Sequence, residues 1–168
     1  EVRFYLDHAA GSPLRPAVAD RVSAIALEPG NPSSLHSAGR AARARLEDAR
    51  ERLAAALDAH PTEIVFTSGG TEADNLAVLG AARARESGRP RVAVSAIEHP
   101  AVAQAAASLG DRAVRVPVAP SGVAELAAWA AALDATCALA SLMWVNNETG
   151  AVQPVSAVAD LAHAVGAW

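Results

Sequence analysis

The chain has 168 residues, 52% of them hydrophobic, and a formal net charge of -4. That length carries one domain with a real core, and the composition excludes a disordered chain. The mild acidity speaks against direct nucleic-acid binding and against an acidic lipid surface. All 14 basic residues are arginine; the chain has no lysine. Cys137 stands alone and closes no internal disulfide, which suits a reducing compartment and leads us to expect a cytoplasmic protein. The most apolar run, 135–145, is too short to span a bilayer, and no signal-peptide pattern opens the sequence. The first residue is Glu1 rather than methionine, so an upstream segment is expected.

In chain order, Phe4 to Leu6 reads as a short strand ending at Asp7-His8. A helix is predicted from Pro16, with Val18, Val22 and Ile25 on one face. Turn residues from Glu28 to Ser34 mark a loop. The clearest helix follows: Ala42, Leu46, Ala49, Leu53, Ala56 and Leu57 recur at helical spacing, and Arg43, Glu47, Arg50 and Glu51 cover the other side. His60-Pro61 ends it.

From there strands and helices alternate. Glu63 to Thr67 is predicted as a strand, Ser68-Gly69-Gly70 as a turn and Thr71 as a helix start. Arg91 to Ser95 reads as a strand before a helix at Pro100. Ala113 to Val118 reads as a strand, with Pro120-Ser121-Gly122 turning into a helix through Leu133. Cys137 to Val145 reads as a buried strand, and a helix is predicted from about Val155 to Val165. Gly166-Ala167-Trp168 looks like the approach to another strand. Repeated strand–helix units imply an α/β fold, a parallel-type sheet flanked by helices.

Ligands of open parallel sheets sit beyond the carboxyl ends of the strands, and three of these ends carry unusual polar residues. In 67–75, Thr67-Ser68-Gly69-Gly70-Thr71-Glu72-Ala73-Asp74-Asn75, glycines let the backbone approach a ligand. The helix start there offers unpaired N–H groups and a positive dipole end to a phosphate. The same residues also read as a plain capped turn, Thr71 capping and Asp74 completing a box. His99, between Glu98 and Pro100, reads either as a cap or as an imidazole poised at a sheet edge. Asn146-Asn147-Glu148-Thr149-Gly150 reads as a turn or as amide donors to a ligand. Together the three ends place a phosphate cradle, an imidazole and an amide at one crevice. No metal-ligand pattern is among them.

These residues resemble the cysteine desulfurases, in the class V aminotransferase-like group of pyridoxal-phosphate enzymes. The resemblance rests on Tyr5-Leu6-Asp7-His8-Ala9-Ala10 and on Gly30-Asn31-Pro32-Ser33-Ser34-Leu35-His36-Ser37-Ala38-Gly39-Arg40. It continues through Phe66 to Asn75, Ala96-Ile97-Glu98-His99-Pro100-Ala101-Val102 and Val145 to Gly150, four such signatures falling in the family's order after the opening loop.

The resemblance implies that the chain is the amino-terminal part of a fold-type I enzyme. Residues 1–15 would join the small domain, and 16–168 would form the first part of an incomplete large cofactor-binding domain. It implies pyridoxal 5'-phosphate as cofactor, its phosphate held by Gly70 and Thr71. His99 would lie over the ring and move protons, and Asn147 would contact the ring hydroxyl region or the substrate.

The implied reaction converts L-cysteine to L-alanine and passes sulfur, as persulfide, to an acceptor protein, an iron–sulfur scaffold or a tRNA-thiolation protein. A homodimer is implied too, and selenocysteine lyase is a close relative in chemistry. The family's ring-nitrogen aspartate, Schiff-base lysine and nucleophilic cysteine are expected beyond Trp168; Cys137, at the start of an apolar strand, is not that cysteine. Gly11-Ser12 and Trp144 depart from the residues usual in the family. The alternative is a non-catalytic half-enzyme or binding module that needs a partner chain.

Overall fold

The computed structural model describes residues 4–168. The chain divides into two compact units, Glu1–Phe66 and Thr67–Trp168.

In the first unit, α1 (Pro16–Ala26) starts with proline at its first position, where the missing N–H costs nothing. Its apolar face is where periodicity puts it, yet no residue of α1 is buried, and Val22 is 56% exposed. Amphipathicity creates a face but not a partner for it. The loop into α2 (Ser37–Ala56) is held by its own hydrogen bonds. Asn31 Oδ1 accepts Ser33 N–H at 2.9 Å, and His36 Nδ1 caps α2 by accepting Gly39 N–H at 3.2 Å. A Cβ on Gly39 would collide with the Ser34 carbonyl oxygen, so only glycine fits. Much of the 30–40 signature is therefore explained by loop closure. Along α2, Arg43 pairs with Glu47 and Arg52 with Asp48 at helical spacing.

Two predicted strands are not found among the described residues. Phe4 to Leu6 pairs with nothing among the described residues. At Glu63 to Thr67, Pro61–Glu63 instead forms one 3-10 turn, closed by Glu63 accepting His60 N–H at 2.7 Å. Ile64 is extended (φ -93°, ψ 120°), but 64–67 has no ladder partner among the described residues. Alternating side chains predict an extended segment; a strand also needs a neighbour's N–H and C=O groups.

The second unit is the predicted α/β fold. Among the described residues its parallel sheet has the order β2-β1-β3, with β1 Arg91–Ser95, β2 Ala113–Val116 and β3 Cys137–Ser141. Val92 sits opposite Ala113 on one side and Leu139 on the other. Alternation along β1 feeds two cores. Val92 and Val94 pack with Val78 and Ala82 of α3 (Gly70–Ala84) and Val102, Ala105 and Ala106 of α4 (Pro100–Ala107). Ala93 faces the other way, onto Trp129 of α5 (Leu126–Ala132), Val158 and Ala162 of α6 (Val155–Ala164), and Cys137. Trp129 and Cys137 are fully buried, as expected of a small apolar thiol in a strand.

The remaining differences are boundaries. β2 stops at Val116, because Val118 turns to bridge Ala124 in an antiparallel loop, and α5 starts only at Leu126. β3 stops at Ser141 rather than Val145, because 144–153 folds back as a small hairpin: Gln153 N–H reaches Trp144 C=O and Asn146 N–H reaches Ala151 C=O. Gly150, at φ +72°, makes the return. The predicted approach to a strand at 166–168 is present: Trp168 exchanges backbone hydrogen bonds with Ala138 and Ala140, at 2.9 and 2.7 Å.

Candidate functional site

All three strands are parallel, so their carboxyl ends share one edge. β1 leads into α4 on one face of the sheet, whereas β3 leads toward α6 on the other. The connections from these adjacent strands therefore diverge, opening a crevice at a topological switch point. His99 follows β1 and Asn147 follows β3, so both candidates stand at its rims. α3 runs into β1 and packs on α4, which brings its amino terminus, with Gly70 and Thr71, to the same edge.

The start of α3 differs from the sequence reading. Gly69, not Thr71, is the N-cap; the helix begins at Gly70, and no side chain caps it. Asp74 closes no box. Glu72 reaches back instead, accepting both the backbone N–H and the hydroxyl of Ser68 at 2.6 Å, and these bonds hold its carboxyl below the usual range. The first intrahelical bond runs from Ala73 N–H to Gly69 C=O at 3.1 Å. The N–H groups of Gly70, Thr71 and Glu72 thus have no partner in the helix. Gly70 and Thr71 are exposed, and a Cβ on Gly69 or Gly70 would meet nothing within 4 Å. The result is a bare, donor-rich helix terminus with the Thr71 hydroxyl beside it, suited to an anion.

His99 is the N-cap of α4, with Nδ1 accepting Ala101 N–H at 3.2 Å. The capping role is real, and it also sets the ring's chemistry. With Nδ1 occupied as acceptor, the neutral imidazole carries its proton on Nε2, leaving an N–H donor for the exposed side.

The two adjacent asparagines divide their work. Asn146 is 8% exposed and organises the hairpin: its Oδ1 accepts Glu148 N–H at 3.0 Å and Thr149 N–H at 2.9 Å. Asn147 is exposed at the tip, its Nδ2 3.2 Å from Glu148 Oε1.

Glu98 escaped the sequence reading, and Asn146 was read only as part of its own turn. Glu98 reaches from the β1 loop to the end of β3, its Oε1 accepting Met143 N–H at 2.8 Å. Burial raises its carboxyl above the ordinary value; the Met143 N–H and Ser141 hydroxyl oppose this, and Asp74 on α3 adds to it. Asn146 reaches the other way, its Nδ2 donating to Ile97 C=O at 3.3 Å. A carboxylate next to a histidine at a strand end, and a doubled asparagine, were the available signals. Behind the hairpin, buried Gln153 accepts Ala124 N–H at 2.9 Å and donates to Gly122 C=O at 2.9 Å, tying 119–124 to the segment after β3.

The family profile for aminotransferase class-V matches residues 4–168. An "IscS-like cysteine desulfurase" of Mycobacterium tuberculosis is 41% identical over 171 residues, covering 96% of this chain and 44% of that protein. A "Cysteine desulfurase" of Cereibacter sphaeroides is 43% identical, covering 98% of this chain and 44% of its own length. The chain thus spans less than half the length of these relatives. Among solved structures, a NifS-like protein superimposes with a TM-score of 0.89 at 32% identity, over 98% of this chain and 46% of that one. SspA, solved in complex with cysteine, gives 0.87 at 31% identity, over 97% and 48%.

Proposed function

The chain belongs to the aminotransferase class-V family, and we propose that it is the amino-terminal part of a cysteine desulfurase, with pyridoxal 5'-phosphate bound at the switch-point edge. The observation that carries this reading is the convergence of the uncapped α3 terminus, the His99 imidazole and the Asn147 amide on one sheet edge, in a chain with this relationship. The residues fit the cofactor. Unpaired N–H groups at Gly70 and Thr71, the Thr71 hydroxyl and a side clear of Cβ atoms match a phosphate's need for several donors.

The cofactor, when bound, supplies an electron sink for carbanion chemistry. The chain's own residues do the placing. Gly70 and Thr71 fix the phosphate end. His99 offers an aromatic face and an Nε2–H donor, and its capping bond holds the ring's orientation. Asn147 offers an amide donor on the opposite rim. The covalent amine must come from outside these 168 residues, since they hold no lysine.

The substrate in this reading is L-cysteine, the products are L-alanine and a persulfide passed to an acceptor protein, and the enzyme is a cytoplasmic homodimer. Residues 1–15 belong to the small domain and 16–168 to the first part of the large one. Among the described residues, no helix is long and apolar enough to cross a membrane. The missing lysine is also the one feature that favours a half-enzyme needing a partner chain. The test is to read the coding sequence past Trp168, express the complete product and measure alanine released from L-cysteine, with selenocysteine as competitor. A stop codon after Trp168 favours the half-enzyme; a complete product that binds the cofactor but releases no alanine overturns the desulfurase reading.

A further inference from the structure

The two loops that carry His99 and Asn147 hold each other by bonds in opposite directions. Glu98, immediately before His99, crosses the crevice to accept Met143 N–H at 2.8 Å. Asn146, immediately before Asn147, crosses back to donate to Ile97 C=O at 3.3 Å. Ser141 and, on α3, Asp74 both act on the Glu98 carboxyl, the first lowering and the second raising its pKa. In each loop the residue that crosses the crevice is half-buried or buried, and the next residue is exposed.

We infer that Glu98 and Asn146 are positioning residues, a reciprocal clamp that fixes His99 and Asn147 relative to one another across the switch-point crevice. Divergent connections would otherwise leave the two loops free to separate, because each leads to a helix on a different face of the sheet. The cross-bonds remove that freedom where the sheet ladder has ended: β1 stops at Ser95 and β3 at Ser141. Asn146 also accepts from Glu148 and Thr149, so the amide that spans the crevice shapes the loop presenting Asn147. Orientation of this kind is worth much in a site whose groups must meet one ligand together. The inference rests on the proposed site for its purpose, but the clamp itself is a property of the apo chain.

The test compares Asn146→Ala, Asn146→Asp, Glu98→Ala and Glu98→Gln in the 168-residue chain by amide hydrogen exchange and by the ring-nitrogen resonances of His99. Asn146→Asp keeps the oxygen that Glu148 and Thr149 need and replaces the Nδ2 donor to Ile97 C=O and Met143 Sδ with a charged oxygen, so the hairpin persists if the alanine variant unfolds it. Both Asn146→Asp and Glu98→Ala are expected to speed exchange at Ala101, whose N–H is held by His99, by about tenfold. They are also expected to shift the His99 resonances, although neither residue touches the ring. Glu98→Gln, which retains an acceptor for Met143, restores the wild-type values. Effects confined to 143–151, with Ala101 and His99 unmoved, overturn the clamp. Titration with inorganic phosphate, followed at Gly70 and Thr71, separates the two ideas: absence of binding in the wild-type chain counts against the cofactor site alone.

Discussion

The cap that His99 makes and the catalytic role proposed for it can be separated experimentally, because the capping bond involves only one ring nitrogen. Nδ1 accepts Ala101 N–H at 3.2 Å, and the rest of the ring faces outward. Asparagine is a preferred N-cap whose amide oxygen takes the place of Nδ1, whereas alanine caps nothing. Losing the cap costs about 1 kcal/mol, which lowers the melting temperature of a roughly 100-residue unit by about 4–8 °C. His99→Ala is therefore expected to melt several degrees low and His99→Asn close to the wild type.

Chemistry divides the variants differently. Neither replacement has an aromatic face or an imidazole to pass protons, so under the proposed function both are expected to lose alanine formation by about 10²–10⁴-fold in the complete enzyme. The assay is single-turnover alanine production, with cofactor absorbance and a thermal melt on the same samples. Near-normal turnover in His99→Asn with cofactor bound would refute the catalytic role and leave His99 a helix cap. Equal melting of the two variants would refute the capping argument instead.

Thr71→Val removes a hydroxyl beside the unpaired N–H groups of α3; phosphate or cofactor affinity should fall by roughly 1.5–3 kcal/mol, while a denaturant melt stays unchanged because Thr71 caps nothing. Glu98 has a folded pKa raised above 4.5 by burial, so the folded state binds more protons than the unfolded state between those two values. Its contribution is fully favourable below 4.5 and is lost as pH rises through the folded pKa. Urea melts of Glu98→Gln across pH 4–8 should show a flatter slope than the wild type, and an unchanged slope would count against this account. Trp129→Ala empties a fully buried site between β1, α5 and α6 and should cost about 3–5 kcal/mol, read as loss of cooperative unfolding in the Thr67–Trp168 unit. Gly39→Ala places a methyl against the Ser34 carbonyl and should destabilise the 30–40 loop and the start of α2, read as faster exchange at Arg40.

The sequence by itself determined most of what depends on near neighbours. The strand at Arg91–Ser95, the helix starts at Pro100 and Val155 and the long helix through Leu53 follow from periodicity and proline placement, and the structure keeps them. His99 and Asn147 were visible as polar residues beyond strand ends, and Gly70 and Thr71 at a helix start, although the strand predicted to lead into that helix is not found among the described residues.

What the sequence left open depended on distant groups. Glu63 to Thr67 has the pattern of a strand but no ladder partner among the described residues, and pattern cannot supply one. Val18, Val22 and Ile25 form an apolar face that no residue of the described structure covers enough to bury. Glu98 and Asn146 looked no different from their neighbours, because their meaning lies in contacts to Met143 and Ile97, each more than forty residues away. Only the tertiary structure decided which asparagine builds the turn and which is exposed at its tip. Side-chain direction at the end of a strand is set by what crosses from the adjacent strand, not by the order of residues along its own.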